Sequence, residues 1–227
     1  IITVSHNAAL EINKAFGVKQ KNISVIYNGM DSSLFYPVKG VQKKSNSIIF
    51  VGNVEDRKKG IIYLLKAMTL TKHNVTLTIV DGGAPNRSTV PHLIDKLGVN
   101  GRVTFTGKIP IEKLITLYSQ HEMAVLPSLY EGFGFPAAEA MACELPVITS
   151  TAGALPEVVG EHMETGYLVP PRDAHAIAEG IDFLLDNPEI RKRLGKAGRK
   201  RVLEIFTWEN AARELVNMYE EVINAHR

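Results

Sequence analysis

Short apolar runs rich in β-branched residues alternate with longer segments whose apolar residues recur at helical spacing. The runs fall at 24–27, 47–51, 75–80, 102–106, 123–127 and 147–149, and helical segments lie between them at about 60–71, 89–98, 111–120 and 135–143. Strand–helix–strand repetition with connections of this length favours parallel strands whose crossover helices lie on the faces of the sheet. The sequence therefore predicts an α/β fold, a parallel sheet flanked by helices.

Ligands of an open parallel sheet bind beside the carboxyl ends of its strands. Turns that contain glycine follow the predicted strands at that edge, at 51–52, 81–83, 106–107, 131–134 and 152–154. We therefore expect the functional site to be assembled from these turns. Elsewhere the sequence predicts a polar loop at 36–46 and three closing helices at 173–185, 188–206 and 208–224, the last capped by Thr207.

Composition narrows the classes of protein to which this chain can belong. It has 227 residues and a net charge of +2, so bulk charge gives no reason to expect a nucleic-acid partner. Cys143 is the only cysteine, which leaves no internal disulfide and fits a reducing compartment. No apolar stretch approaches the roughly 20 residues of a membrane span. Because the chain starts at Ile1 without a signal-peptide pattern, we expect a cytoplasmic protein that is part of a longer one.

A run of cations between 191 and 201 is the strongest charge cluster in the sequence. Its members are Arg191, Lys192, Arg193, Lys196, Arg199, Lys200 and Arg201. Apolar residues fall mainly on the other side of the predicted helix, so the run has the pattern of a solvated face. Peripheral contact with an anionic membrane is the alternative interpretation.

The segment 128–146 carries the most specific chemistry. Its glycines, Gly132 and Gly134, turn the chain from a predicted strand into a predicted helix, and Pro136 suits the first turn of that helix. Backbone amides at the start of a helix have no partner within the helix. Those of about 133–137 therefore predict a site for an anion such as a diphosphate.

Two carboxylates flank this predicted helix start. Glu131 lies in the turn, and Glu139 lies about one turn inside the helix, eight positions later. A carboxylate beside a phosphate repels it, whereas a carboxylate that accepts hydrogen bonds from sugar or ribose hydroxyls suits such a site. The plainer interpretation makes Glu131 a solvated turn residue and Glu139 a favourable charge near a helix start.

Residues 132–137 also match the G-x-G-x-x-A fingerprint of dinucleotide-binding folds. That fingerprint directly follows the first strand of a βαβ unit and has an acidic residue about 20 positions later. Here a polar turn intervenes, and several strand–helix units come first. A nicotinamide or flavin enzyme is therefore the less favoured interpretation.

Two further turns offer groups to a ligand. In 52–60, three consecutive cations, Arg57, Lys58 and Lys59, are suited to neutralise phosphates, although a solvated basic loop is the slightly favoured interpretation of Arg57 and Lys58. Gly107 ends another strand, where a glycine lets the backbone approach a flat base, and a plain turn is the alternative.

The histidines are scattered and no Asp-x-Asp pair occurs, so the sequence predicts no metal site and no cofactor.

Taken in order, these motifs resemble those of the family-four glycosyltransferases, retaining enzymes with the two-domain GT-B fold. The resemblance covers almost the whole chain. It rests on Val4-Ser5, 25–35 with Asn28-Gly29, Gly52…Lys59-Gly60, 103–107, the E-x7-E segment 127–142, Leu145-Pro146, Gly153…Glu157, 165–170 and Phe206-Thr207-Trp208. It implies a Rossmann-like domain, the C-terminal half of the GT-B fold, that binds a nucleotide diphosphate sugar. The implied reaction transfers a hexosyl group to an acceptor hydroxyl with retention.

The resemblance also implies a role for each candidate residue. Glu131 would bind hydroxyls of the donor sugar and Lys59 the diphosphate, which makes these two the candidate catalytic residues, and Glu139 would bind the ribose diol. The other candidate binding residues are Gly52, Asn53, Lys58, Gly107, Lys108, Ile109, Gly132, Phe133, Gly134 and Phe135. Lys108 and Ile109 would read the base, and the amides of 133–135 would hold phosphate and sugar. Asn53 stands where the family usually has an arginine, and Glu144 where a glycine is common.

The resemblance divides the chain into three parts. Residues 1–20 would end a connection between domains, and 21–206 would form the nucleotide-sugar-binding domain. Residues 207–227 would form a helix that crosses back to an N-terminal acceptor domain outside this sequence. Alternatives on the same fold are a sugar-nucleotide epimerase or a phosphorylase, and a rival of another class is a non-catalytic nucleotide-sugar-binding module.

Overall fold

The computed structural model of the protein describes residues 1–81 and 89–225. The predicted glycine turn at 81–83 lies mostly outside the described residues. Eight strands are present in the described part: β1 (Ile2–Thr3), β2 (Ser24–Val25), β3 (Ser47–Val51), β4 (Thr76–Val80), β5 (Val103–Phe105), β6 (Met123–Leu126), β7 (Val147–Ser150) and β8 (Tyr167–Val169). The last six form one parallel sheet in the order β5-β4-β3-β6-β7-β8, which confirms the predicted α/β class.

Helices cover both faces of this sheet. The helices of the described part are α1 (His6–Phe16), α2 (Ile61–Ala67), α3 (Val90–Leu97), α4 (Ile111–Gln120), α5 (Phe135–Ala142), α6 (Leu155–Val159), α7 (Ala174–Asp186), α8 (Pro188–Ile205) and α9 (Trp208–Ala225). Of these, α2 to α8 contribute to the two hydrophobic clusters, whereas α1 packs against β1 and β2. Successive side chains of a strand point to opposite faces. Ile49 of β3 therefore packs in one hydrophobic cluster with Met141, whereas Ile48 packs in a second cluster with Leu65 and Ile181. Each face of the sheet has its own core.

The strand order places a crevice at the middle of the sheet. The chain runs outward from β3 through β4 to β5, then returns to lay β6 against the other side of β3. Connections that leave neighbouring strands in opposite directions open a gap at the carboxyl ends of those strands, where open α/β sheets bind ligands. The loops that follow β3 and β6 are therefore the ones positioned to form a site.

Three elements differ from the sequence prediction. The run predicted at 24–27 is not part of the main sheet, because β2 pairs in parallel with β1 and is not fully buried. The edge strand β8 has only three residues and was not predicted. Helix α1 was not predicted either, although Ser5 caps it by accepting from the Ala8 amide and Gly17 ends it in the left-handed conformation, with φ 66°.

Three arginines of the cationic run on α8 hold the ends of other helices. Arg191 donates to carbonyls at the end of α7, Arg199 to the last carbonyl of α5, and Arg201 to carbonyls of α6. A cation at these carbonyls satisfies groups that lack a partner within the helix. The exposed members of the run are Lys192, Arg193, Lys196 and Lys200. The cluster is thus only partly the solvated face that the sequence predicted.

Glu144 follows α5 with φ 56°, in the left-handed region. Glycine adopts this conformation without steric cost, which explains why a glycine would be favoured at this position.

Within 1–81 and 89–225, no helix combines the length and the apolar character needed to cross a membrane. The predicted N-cap of α9 is confirmed, since the hydroxyl of Thr207 accepts from the Asn210 amide at 3.1 Å.

Candidate functional site

The loops after β3 and β6 are packed directly against each other in the crevice. The Leu129 amide donates to the Lys58 carbonyl at 2.6 Å. Gly60 lies against the carbonyl of Pro127 with no room for a Cβ, and its φ of 68° is in the left-handed region. Glycine is thus required at this point of the β3 loop, because any side chain would separate the two loops.

This packing brings Lys59 to Glu131, 72 positions away in the sequence. The Lys59 ammonium lies 2.7 Å from Oε1 of Glu131, and the two side chains are 23% and 13% exposed. The Ser128 hydroxyl donates to the same oxygen at 2.9 Å. The other carboxylate oxygen, Oε2, has no hydrogen-bond partner among the described residues. One oxygen of Glu131 is therefore fixed, and the other can accept a hydrogen bond from a ligand.

A third loop, after β7, fixes the backbone of Glu131. The Ala154 amide donates to the Glu131 carbonyl at 2.9 Å. Gly153 has φ 61°, and a Cβ at this position would collide with backbone atoms of Glu131. The hydroxyl of Ser150, at the end of β7, donates to the Ser128 carbonyl. Glu131 is thus held through both its main chain and its side chain.

The start of α5 supplies backbone donors beside this carboxylate. Gly134 caps the helix with φ 106°, and Pro136 occupies its first turn, as predicted. No described residue accepts a hydrogen bond from the amides of Phe133, Gly134 or Phe135. The sequence predicts free amides at about 133–137. The Ala137 amide is not free, because it donates to the Gly134 carbonyl at 3.0 Å. The remaining three amides suit an anion.

Aromatic packing holds this helix start in place. The ring of Phe133 is buried, and its centroid lies 5.1 Å from that of Phe135 and 5.5 Å from that of Phe206. The hydroxyl of Ser5 donates to the Gly132 carbonyl at 3.0 Å. The backbone of the turn is therefore anchored to α8 and to the N-terminus of α1, which fixes the direction of its amides.

Glu139 occupies a different environment, on the body of α5. The hydroxyl of Tyr118 on α4 donates to its Oε2 at 3.1 Å. Burial raises the pKa of the Glu139 carboxyl above its ordinary value, and the hydrogen bond from Tyr118 partly opposes this shift. Burial, followed by the charge of Glu139, raises the pKa of Tyr118 well above its ordinary value, so this hydroxyl remains a donor. The carboxylate is half-buried and held through one oxygen.

The predicted base-side loop lies farther along the same edge. Gly107 follows β5, two strands from β3, and has φ 65° in the left-handed region. The Thr106 amide continues the ladder by donating to the Ile79 carbonyl at 3.0 Å. Lys108 is exposed, and Ile109 packs partly against the core. Helix α4, which carries Tyr118, begins immediately after this loop.

The other predicted residues of the β3 loop are less constrained by the fold. Gly52 lies beside the Lys59 side chain, whose Cδ would be 3.6 Å from an added Cβ. The side chain of Asn53 accepts from the Glu55 amide at 2.8 Å and stays within its own turn. The Lys58 ammonium lies 5.6 Å from the centre of the Tyr130 ring. Arg57 is exposed.

No three His, Cys, Asp or Glu side chains of the described residues converge as metal ligands would.

Sequence reasoning missed the role of Tyr118. It lies in the apolar stripe of α4 and is fully buried, so nothing in the sequence distinguishes it from a core residue. Sequence reasoning also did not foresee that Lys59 and Ser128 share one oxygen of Glu131. This contact could be inferred only from the closeness of the loops after β3 and β6. That closeness follows from the strand order and not from the sequence of either loop.

Comparisons with known proteins identify the family and the fold of this chain. The family model described as glycosyl transferases group 1 matches residues 34–201. The MMP alpha-(1->4)-mannosyltransferase of Mycolicibacterium hassiacum is 38% identical over 225 residues, which cover 98% of this chain and 54% of that protein. The chain spans about half the length of the curated relatives that it matches.

Solved structures show the same architecture. Sucrose-phosphate synthase from Thermosynechococcus elongatus superposes with a TM-score of 0.87 at 35% identity, covering 99% of this chain and 58% of that one. Anabaena Alr3699/HepE, solved in complex with UDP and glucose, has a TM-score of 0.87 at 22% identity, covering 97% and 62%. At that identity the second likeness concerns the fold, which is that of GT-B glycosyltransferases. The chain therefore belongs to the group 1 glycosyl transferases.

Proposed function

We propose that this chain is the donor-binding half of a retaining glycosyltransferase, which transfers a hexosyl group from a nucleotide diphosphate sugar to an acceptor hydroxyl. The observation that carries the proposal is the pairing of Lys59 with Glu131, at 2.7 Å, beside three amides at the start of α5 that donate to no described residue. One small crevice thus offers a cation, backbone donors and a neutralised carboxylate. These are the groups that a sugar joined to a diphosphate requires.

At the phosphate end of the ligand, Lys59 and the amides of Phe133, Gly134 and Phe135 would hold the diphosphate. Negative charge grows on a diphosphate as its bond to the sugar breaks. Fixed donors aimed at that charge lower the barrier because they need no reorganisation during the reaction. Lys58 lies on the same loop and would add a weaker, more exposed charge.

At the sugar end, Glu131 would accept hydrogen bonds from sugar hydroxyls through its free oxygen, Oε2. Its pairing with Lys59 explains how a carboxylate can lie beside a diphosphate, since the ammonium offsets the repulsion. A fixed sugar reacts faster because its orientation is set before the reaction. Lys59 and Glu131 thus remain the candidate catalytic residues.

At the nucleoside end, Glu139 would accept from the ribose diol, and the loop of Gly107, Lys108 and Ile109 would contact the base. In this proposal, base, ribose, diphosphate and sugar would lie along the carboxyl edge of the sheet, in the order β5, α5, and the crevice between β3 and β6. The names of relatives support this class of donor. One is a mannosyltransferase, and the HepE structure holds UDP and glucose.

The other half of the enzyme would lie in an N-terminal domain that carries the acceptor site. Relatives are about twice as long as this chain, which supports this part of the proposal. Helix α9 exposes Trp208, Val216, Tyr219, Val222 and Ile223, an apolar face suited to pack against another domain. A non-catalytic binding module on the same fold would bind the same ligand without transfer, even when joined to such a domain.

Calorimetry of this chain with UDP, GDP and ADP tests the proposal. We expect weak binding of at least one of them, equal in the presence of EDTA and of magnesium, and no sugar transfer by this chain alone. Strict dependence on magnesium would contradict the role given to Lys59 and the amides. Failure to bind any of the three, or their glucose and mannose conjugates, would contradict the proposed function itself.

A further inference from the structure

The second glutamate of the site depends on a residue that contacts no proposed ligand. Tyr118 is fully buried within the core between α4 and the sheet, and its hydroxyl reaches Oε2 of Glu139 at 3.1 Å. No other described side chain contacts this carboxylate by hydrogen bond or ion pair. The orientation of the carboxylate on α5 is therefore set by a single donor on the neighbouring helix.

We propose that Tyr118 is a positioning residue for the nucleoside of the donor: by holding one oxygen of Glu139, it directs the other to the ribose diol. The inference rests on the proposed function, because it assigns the ribose to Glu139. It adds a residue that sets how this carboxylate is presented. A carboxylate accepts through two oxygens, and fixing one of them restricts rotation of the group without blocking the second.

The place of Tyr118 in the chain supports this role. Helix α4 begins directly after Gly107, Lys108 and Ile109, the loop proposed to contact the base, and ends two residues after Tyr118. The hydrogen bond therefore ties the helix that follows the base loop to the helix that carries Glu139. A covalent bond fixes the distance between base and ribose in a nucleoside. A fixed distance between α4 and α5 therefore suits the simultaneous binding of both groups.

Charge gives a second reason. Among residues 1–81 and 89–225, no cation pairs with Glu139, unlike Glu131, so its ionised form relies there on the hydroxyl of Tyr118. Burial raises the pKa of Glu139 and this hydrogen bond lowers it. Loss of the hydroxyl would raise the pKa further, and an acceptor for two ribose hydroxyls works best when ionised.

The test replaces Tyr118 with phenylalanine, which keeps the ring and removes only the hydroxyl. Calorimetry would compare the ribonucleoside diphosphate that the wild type binds best with its 2′,3′-dideoxy analogue. We expect Tyr118→Phe to weaken the ribonucleotide about tenfold, the size of one hydrogen bond to a charged group, and to leave the dideoxy analogue unchanged. We also expect no further loss when Tyr118→Phe is added to Glu139→Ala, because the partner is already gone.

Tyr27→Phe is the matched control. It removes another hydroxyl–carboxylate hydrogen bond, 3.3 Å long, between Tyr27 and Glu157. We expect it to leave both ligands unaffected. A pH series separates a positioning role from a packing role. As the pH is lowered, Tyr118→Phe should lose affinity for the ribonucleotide at a higher pH than the wild type does, because the pKa of Glu139 is raised further in the variant.

Three results with Tyr118→Phe would overturn the inference. The first is equal ribonucleotide affinity in wild type and Tyr118→Phe, and the second is an equal loss for both ligands. The third is a full loss that persists in the Glu139→Ala background. A wild type that binds ribonucleotide and dideoxy analogue equally overturns the ribose role of Glu139 and, with it, the inference. Absence of any nucleotide binding overturns the proposed function as well.

Discussion

Glu131 and Glu139 are the same residue type, eight positions apart, yet the fold compensates their charges in opposite ways. Glu131 lies in a loop, where Lys59 and Ser128 both contact its Oε1 at 2.7 and 2.9 Å. Glu139 lies on a helix, where a neutral hydroxyl at 3.1 Å is its hydrogen-bond partner and burial raises its pKa. Within the described part of the chain, one carboxylate is paired with a cation, and the other is only hydrogen-bonded.

The two environments suit two different ligand groups, a diphosphate beside Glu131 and a ribose beside Glu139. A carboxylate beside a diphosphate needs a cation, because two anions in a partly buried crevice repel each other strongly. A carboxylate beside a ribose faces only hydroxyls, so hydrogen bonding suffices, at the cost of a raised pKa. The way in which each charge is compensated therefore agrees with the roles that the resemblance implies, sugar binding for Glu131 and ribose binding for Glu139. Substitutions can disturb one carboxylate while sparing the other.

The largest effect is expected from Gly153→Ala, which would displace the backbone of Glu131. The new Cβ would collide with main-chain atoms of Glu131, and φ at this position is 61°. We expect the free energy of unfolding to fall by about 3 kcal/mol, from backbone strain and the collision together. Denaturant melts measure this, and the folded fraction should lose affinity for the sugar conjugate more than for the diphosphate.

Gly101→Ala is the control for that substitution. Apart from its chain neighbours, no described residue has an atom within 4 Å of the position of its Cβ, and its φ is not in the left-handed region. Its stability should stay within about 0.5 kcal/mol of the wild type. Equal stability of Gly153→Ala and Gly101→Ala would show that the loop after β7 does not hold Glu131.

A smaller effect is expected from Lys59→Ala, which removes the cation of the Glu131 side. Loss of one charge-assisted contact should weaken a nucleoside diphosphate by about 1.5–3 kcal/mol and leave the parent nucleoside nearly unchanged. Titration calorimetry with both ligands measures the difference. Lys66→Ala, an exposed lysine on α2, should alter neither. An equal loss for nucleoside and diphosphate would mean that Lys59 acts through folding.

The smallest effect is a pH dependence that belongs to Glu139. Its pKa is raised in the folded protein, so its ionised form, the better acceptor, is lost at a higher pH than for an ordinary glutamate. Ribonucleotide affinity should therefore fall as the pH is lowered through this raised pKa, by at most about tenfold per pH unit. The ratio of ribonucleotide to dideoxynucleotide affinity isolates this change, because both ligands carry the same phosphates. Glu139→Gln should remove it, and persistence of the dependence in that variant would assign it to another group.

Much of the fold follows from the sequence because its signals are local. The run 47–51 was predicted at the bounds that β3 has, and 111–120 at those of α4, since apolar periodicity and flanking turns define both. Strand β8 was missed because three edge residues carry too little pattern. Helix α1 was missed although Ser5 and Gly17 mark its two ends, because those residues had been read as part of a connection.

The site was predictable in its parts but not in its contacts. Glu131, Glu139, Lys59 and the helix-start amides were all expected near the carboxyl edge. That Lys59 shares an oxygen of Glu131 with Ser128 depends on two loops 72 positions apart, which only the strand order brings together. Tyr118 could not be found at all, because a buried tyrosine in an apolar stripe has no sequence signal of its own.

Titration of Glu131→Ala and Glu139→Ala with a nucleoside diphosphate and its sugar conjugate tests the account most directly. Glu139→Ala should weaken both ligands alike, because both carry the ribose. Glu131→Ala should leave the diphosphate nearly unchanged and remove only the contribution of the sugar, with both variants folded by melting curves. If Glu131→Ala abolished binding of the bare diphosphate in a folded protein, or if neither variant changed binding, the roles assigned to the two carboxylates would be wrong.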